Sequence, residues 1–152
     1  MRRLSGVLLA GAVLILPAFA QTAFAQAPPQ KTTYTGDLVL AAYVVNADKV
    51  ADYEKVMATL KDALAKSPRP EAKQQLAGWK VIKNAMNQPD GSPLYVHIIS
   101  PVVKDADYSI TNLVYEVVTD PTERTNFYNL YRGALKQALF VIQGPMVSDF
   151  AK

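Results

Sequence analysis

The sequence predicts an α+β domain in which helices cover one face of an antiparallel β-sheet. Two segments, residues 37–45 and 94–103, are rich in β-branched and aromatic residues, and both alternating faces of each are almost wholly apolar. An amphipathic pattern of helical period lies between them, and a cluster of turn residues precedes the second segment. A strand that is apolar on both faces belongs in the middle of a sheet, so other elements must cover it.

The N-terminal residues have the pattern of a secretory signal peptide. Two arginines supply the positive charge, and residues 4–16 form an apolar run that is too short to span a bilayer. Small residues that end at Ala20 and at Ala25 fit two cleavage sites. We expect a signal peptide over residues 1–25, with cleavage after Ala20 as the open alternative. The protein is then periplasmic or secreted and has no membrane span after cleavage.

The rest of the chain is predicted to be a flexible leader over residues 26–36 and a single domain over residues 37–152, which is long enough to bury a core. Removal of the two N-terminal arginines leaves 14 of the 16 basic residues against 13 acidic ones. Because the net charge is then small and no basic face is clustered, we expect no nucleic-acid partner. The chain has no cysteine, which excludes thiolate catalysis and disulfide bonds.

The first helix follows the first strand directly. Asn46 is a suitable N-cap, an apolar stripe runs from Val50 to Leu64, and the prolines within residues 67–70 predict the end of the helix. Residues 79–86 predict a second strand. The turn at residues 89–92 joins it to the next strand as an antiparallel hairpin.

The C-terminal third predicts helices over residues 106–138. Asp105 is a candidate cap for the first of them, although β-branched residues weaken that helix. Asp120, Pro121 and Glu123 form a strong start signal for the second, whose apolar stripe continues to Ala138. Residues 139–149 fit either the end of this helix or a fourth strand.

The order strand, helix, strand, strand, helix is the ferredoxin-like split βαβ plan. Over residues 37–46, 78–83 and 94–100, with the first helix ending at Lys66, the chain resembles the dimeric α+β barrel superfamily, which includes antibiotic-biosynthesis-monooxygenase-like domains. The resemblance implies sheets paired across a two-fold axis. Some members oxidise small aromatics or degrade haem in the cleft between sheet and helices. No catalytic residue of that family matches a position here, so the activity does not carry over.

Dimerisation also follows from the apolar pattern itself. Helices on one side leave the second face of the first and third strands uncovered, and an apolar face of several hundred Å² is too costly to leave in water. An identical face of a second copy would bury it in a symmetric interface, so we expect a homodimer. The C-terminal tail and a bound apolar ligand are the alternative covers.

His97, the one histidine in the chain, is the obvious candidate for chemistry. It is either a packed, hydrogen-bonded core residue or a general base or axial ligand at the open face of the sheet. Tyr43, Trp79 and Tyr95 either line a ligand pocket with His97 or belong to the core. One histidine without cysteine predicts no zinc site, and no motif predicts a cofactor.

Two functions remain open at this point. The first is an exported α+β domain that self-associates and binds a small apolar ligand. The alternative is an oxygenase-like enzyme of the dimeric α+β barrel type that uses a pocket around His97. A cavity of at least ~300 Å³ on which His97 and a second polar group converge would favour the enzyme.

Overall fold

The computed structural model describes residues 30–150, and the predicted signal peptide lies outside them. It contains four strands, four α-helices and a short 3₁₀ turn at Ala47–Lys49 in this part of the chain. The strands are β1 (Leu38–Val45), β2 (Trp79–Lys83), β3 (Leu94–Ile99) and β4 (Leu135–Gly144), and the helices are α1 (Val50–Lys66), α2 (Ala72–Gly78), α3 (Ile110–Tyr115) and α4 (Pro121–Ala134).

The strands form one antiparallel sheet in the order β2-β3-β1-β4. Both central strands, β1 and β3, were predicted from their two apolar faces, and β1 pairs with β3 from Val39↔Ile99 to Val44↔Leu94. The α+β class and the antiparallel sheet with packed helices are therefore confirmed. The strand order and directions fit the ferredoxin-like split βαβ plan.

Helix α1 supplies much of the core on the helix side of the sheet. Val56, Leu60 and Leu64, which belong to its predicted apolar stripe, pack with Leu113 of α3 and Phe127 of α4. Helical spacing brings these side chains onto one face, which the sequence pattern requires. The core thus lies between α1 and the two C-terminal helices on one side of the sheet.

The two predicted helix starts have different outcomes. The side chain of Asp120 accepts a hydrogen bond from the amide of Glu123 at 2.8 Å, so the predicted cap of α4 is confirmed. The prediction for Asn46 is wrong, because its side chain makes no cap bond and its Nδ2 donates to the carbonyl of Gly133 at 2.9 Å. Asn46 therefore joins the start of the α1 region to the end of α4.

The C-terminal third is less helical than the sequence predicts. Asp105 has φ of +62° and caps nothing, because α3 begins only at Ile110, after Ser109. Helix α4 ends at Ala134. Residues 139–149 were predicted to be either the end of this helix or a fourth strand, and as far as Gly144 they belong to strand β4. Strand β4 pairs with the whole of β1, including two register shifts. The backbone of β1 needs partners on its second edge, and this requirement outweighs the helical period that continues past Ala134.

The sheet face opposite the helices is here called the outer face. Strand alternation and register place on it the following apolar side chains: Leu38, Leu40, Ala42, Val44, Ile82, Leu94, Val96, Ile98, Phe140 and Ile142. None of them belongs to the three core clusters of the described residues, although Ala42 and Val44 of the central strand β1 are buried by their neighbours. Ile82 is 50% exposed and Ile142 58% exposed.

The described C-terminal tail does not cover the outer face. Val147 is 94% exposed and Phe150 99% exposed, so neither side chain is packed against the sheet. Of the three covers that the sequence pattern allows, the tail up to residue 150 is therefore excluded.

Candidate functional site

His97 lies at the centre of the helix side of the sheet. In the register of the three neighbouring strands it stands opposite Ala41 of β1 and Val81 of β2. Its side chain is only 2% exposed. A buried imidazole requires hydrogen-bond partners, and those partners determine its chemistry.

Both ring nitrogens of His97 are hydrogen-bonded. The indole Nε1–H of Trp79 donates to Nδ1 at 3.1 Å, and the hydroxyl of Tyr53 is 2.6 Å from Nε2. Indole is a donor only, so Nδ1 must be the acceptor. We assign the proton of the neutral ring to Nε2, which then donates to the Tyr53 hydroxyl oxygen.

Burial keeps the imidazole neutral. Desolvation lowers the pKa of His97 from 6.5 to about 4. Desolvation is also the first cause that raises the pKa of Tyr53, followed by the neighbouring Tyr131, Tyr43 and Tyr95. At neutral pH this pair therefore holds no charge, and His97 has no free nitrogen with which to remove a proton.

Aromatic rings surround His97 on several sides. Tyr43 meets it edge-on at a centroid distance of 5.2 Å, and the Trp79 ring lies at 5.8 Å. The aromatic contacts continue from Trp79 to Tyr108 at 5.6 Å and from Tyr108 to Tyr34 at 5.3 Å. These contacts enclose the space beside the imidazole with rings from β1, β2, the leader and the loop before α3.

That space is a partly open cavity of about 140 Å³, here called the His97 chamber. It is smaller than the ~300 Å³ at which ordinary ligand pockets begin, so the size that would favour an enzyme is not reached. Its lining residues are Thr32, Tyr34, Ala41, Tyr43, Trp79, His97, Ile99, Tyr108, Ser109, Ile110, Thr111 and Tyr131.

Part of the predicted flexible leader forms one wall of the chamber. The carbonyl of Thr32 accepts from the amide of Tyr108 at 2.7 Å, and the amide of Thr32 donates to Asp107 Oδ1 at 3.0 Å. Tyr34, two residues further on, packs against Tyr108. These contacts fix residues 32–34 over the loop before α3.

The structure brings together three of the four predicted pocket residues. Tyr43, Trp79 and His97 line the chamber, whereas Tyr95 does not. Tyr95 shares their sheet face, but its ring packs on Tyr53 at 4.7 Å and its hydroxyl donates to Glu54 at 2.7 Å. Burial, and then the Glu54 carboxylate, raises the pKa of Tyr95.

Sequence reasoning missed Tyr34, Tyr108 and Tyr131 as chamber residues. They come from the leader, a loop and α4, and no spacing in the chain relates them. The one available signal was their residue type, since a buried tyrosine combines an aromatic body with a polar tip that needs a partner.

Two surface grooves have more than twice the volume of the chamber. One of about 360 Å³ runs between α1, α2 and β2 and is lined by Met57, Leu64, Leu76 and Trp79 among others. Another of about 410 Å³ lies between the start of α1 and the end of α4. Trp79 lines both the first groove and the His97 chamber, so its indole forms a wall that the two share.

Within residues 30–150, no group of three or more His, Cys, Asp or Glu side chains could hold a metal ion. No helix in the same part of the chain has the length and apolar content that crossing a membrane requires. No family model, curated protein or solved structure matches the chain. The class of protein is therefore defined by its fold and chamber: an α+β domain with a split βαβ sheet and an aromatic chamber under its helices.

Proposed function

We propose that this protein is an exported α+β domain that pairs with a second copy through its outer face and holds a small ligand in the His97 chamber. The observation that carries the proposal is the outer face, to which all four strands contribute apolar side chains and on which Ile82 of β2 and Phe140 and Ile142 of β4 are exposed.

The distribution of polar residues favours a second copy as the partner. Register places Lys80 and Gln137 on the outer face, and both belong to the edge strands β2 and β4. The middle of the face, formed by β1 and β3, carries no charge. Two identical faces can therefore pack against each other without opposing like charges, which a symmetric interface requires.

The size of the outer face also fits a dimer. Four strands spaced ~4.8 Å apart and about seven residues long, at ~3.3 Å per residue, span roughly 450 Å² of flat sheet. Two such faces together bury roughly 900 Å² if each is treated as flat, and the projecting side chains add to this area. The value is near the ~1,000 Å² that a biological interface needs. Sheets that pack face to face lie about 10 Å apart and interlock the side chains of their inner faces.

Export is supported by the composition of residues 1–25, which have a positive start, an apolar run and small residues at two cleavage sites. The absence of cysteine is compatible with an oxidising compartment, because stability then rests on packing and hydrogen bonds alone. A periplasmic or secreted location follows from this proposal.

The ligand part of the proposal rests on the His97 chamber. An apolar cavity of ~150 Å³ holds a molecule of about the size of benzene, so the chamber suits a single ring. The oxygenase-like alternative has the same chamber in its favour, because the chamber lies between sheet and helices. Against it, both nitrogens of His97 are bonded to Trp79 and Tyr53, which leaves no base for proton removal.

The oligomeric state tests the pairing proposal. We expect sedimentation equilibrium of the exported, processed protein to give a dimer. Ile98→Asp, which places a charge in the middle of the outer face, should give a folded monomer because a buried unpaired charge opposes pairing. Met86→Asp is the matched control: Met86 is 75% exposed in the turn region after β2, and its substitution should leave the dimer intact. A monomeric wild type, or an Ile98→Asp dimer as stable as the wild type, would refute the pairing.

A further inference from the structure

Three phenolic hydroxyls in the His97 chamber have no hydrogen-bond partner among residues 30–150. They belong to Tyr34, Tyr43 and Tyr131, which all line the chamber. Every other polar side chain that faces His97 directly is paired, as the bonds of Trp79 and Tyr53 show. None of the three oxygens is among the fully buried polar atoms without a partner in this part of the chain, so they face the partly open chamber and are available as donors to a bound molecule.

The three hydroxyls are donors throughout the physiological pH range. Burial raises the pKa of Tyr43. It raises the pKa of Tyr131 to about 12, with Tyr43 as the next cause. For Tyr34, burial raises the pKa first and the neighbouring Tyr43 and Tyr108 add to it. All three hydroxyls therefore keep their protons, and all three residues line the same cavity.

The lining also limits the charge of a ligand. Besides aromatic and aliphatic side chains, the chamber presents the hydroxyls of Thr32, Ser109 and Thr111, and no carboxylate, ammonium or guanidinium group lines it. An ion would therefore enter a desolvated space without a counter-charge, at a high cost. A neutral molecule that carries an acceptor oxygen avoids this cost and satisfies the phenols.

We propose that the His97 chamber binds a neutral, single-ring carbonyl compound whose oxygen accepts hydrogen bonds from Tyr43 and Tyr131, with Tyr34 closing the site from the leader. The ring fills a cavity of about 140 Å³ against Trp79. This inference rests on the ligand part of the proposed function and is independent of sheet pairing.

His97 is a positioning residue in this arrangement. Its Nδ1 holds the Trp79 indole by the 3.1 Å bond, and Trp79 is a wall of the chamber. Because Nδ1 is already an acceptor for Trp79 and Nε2 donates to Tyr53, the ligand oxygen must be bound by the tyrosines instead.

The test uses two probes of the same shape. Cyclohexanone has a carbonyl oxygen, and methylenecyclohexane replaces that oxygen by a CH₂ group that accepts nothing. Trp79 is the sole tryptophan of the chain and lines the chamber, so its fluorescence reports binding of either probe. Each probe is titrated into the wild type, Tyr43→Phe, Tyr131→Phe and Tyr128→Phe, where Tyr128 is 46% exposed and outside the chamber.

We expect Tyr43→Phe and Tyr131→Phe each to weaken cyclohexanone binding about fivefold, the usual effect of one lost neutral hydrogen bond. The same variants should leave methylenecyclohexane binding unchanged or stronger, and Tyr128→Phe should affect neither probe. If both probes respond alike to these variants, or if only methylenecyclohexane binds, the carbonyl inference is wrong while a ligand chamber stands. If neither probe binds the wild type, the ligand part of the proposed function fails as well.

Discussion

The two faces of the sheet differ in the packing partners of their side chains. On the helix side, His97 is bonded at both nitrogens and Tyr95 is bonded to Glu54. On the outer face, Val96 and Ile98 of the same strand are half-buried and belong to none of the core clusters of the described residues. Alternate residues of one strand therefore belong to two environments: one is packed under the helices of the same chain, and the other is the face on which we propose that a second copy packs.

This contrast separates folding from association. The helix-side contacts are long-range within one chain, such as those between α1 and β3, and they determine whether the domain folds. In the proposed dimer, the exposed apolar area of the outer face is removed from water only on association. Substitutions on the two faces should therefore change different measurements, even at adjacent positions.

The largest expected effect is a difference in stability between Asp substitutions at Ile99 and at Ile98, which are neighbours in β3 but lie on opposite faces of the sheet. Ile99 is 2% exposed and packs with Val39, Ala106 and Tyr108 on the helix side. Ile99→Asp buries an unpaired carboxylate and should lower the free energy of unfolding by at least ~4 kcal/mol, a large fraction of the stability of an ordinary domain. Ile98→Asp should leave the circular dichroism spectrum unchanged. Equal loss of structure in both variants would contradict the division between the faces.

A smaller effect concerns acid stability. The pKa of His97 is about 4 in the folded protein against 6.5 in the unfolded chain, because of desolvation. Between these values the unfolded chain binds a proton that the native protein does not, so stability falls as pH decreases. The loss from pH 6.5 to pH 4 should be about 3 kcal/mol at fixed protein concentration.

His97→Gln is the matched variant for this measurement. Its amide can accept from Trp79 and donate to Tyr53 but does not titrate. Urea unfolding at pH 6.5 and at pH 4.5 should show a smaller pH dependence than in the wild type. A pH dependence that is the same in both proteins would mean that the imidazole is not held neutral by burial.

The smallest expected effect tests the boundary of the chamber. Tyr95→Phe removes the hydrogen bond to Glu54, which is partly exposed, and should lower stability by about 1 kcal/mol. Because Tyr95 shares the sheet face of His97 but does not line the chamber, cyclohexanone binding should not change. Weaker binding in this variant would extend the chamber to the Tyr53–Tyr95 pair.

The sequence predicted the elements whose pattern is local. The alternation in β1 and β3, the stripe of α1 and the cap at Asp120 each depend on residues a few positions apart. Residues 139–142 fit both the helical and the strand pattern of apolar residues. They form a strand because they pair with the edge of β1 that β3 leaves free. The failed cap at Asn46 has a similar cause, since its partner Gly133 is distant in the chain.

The candidate site was harder to predict because it is assembled from distant segments. His97, Tyr43 and Trp79 could be placed near one another, since neighbouring strands of a predicted sheet carry them. Tyr53 lies within the apolar stripe predicted for α1, but its bond to His97 depends on how far α1 is rotated over the sheet. Tyr34 was assigned to a leader for which no partner was expected.

The most direct test of the central claim is an isotope-filtered NOE experiment on a dimer formed from one ¹³C-labelled and one unlabelled copy. If the outer faces pack against each other, cross-peaks between copies should connect methyl groups of Leu40, Val96 and Ile98 and should be absent for Leu60 and Leu64 in the helix-side core. Cross-peaks between copies that arise only from helix residues, or none at all at concentrations where the protein is dimeric, would contradict the account.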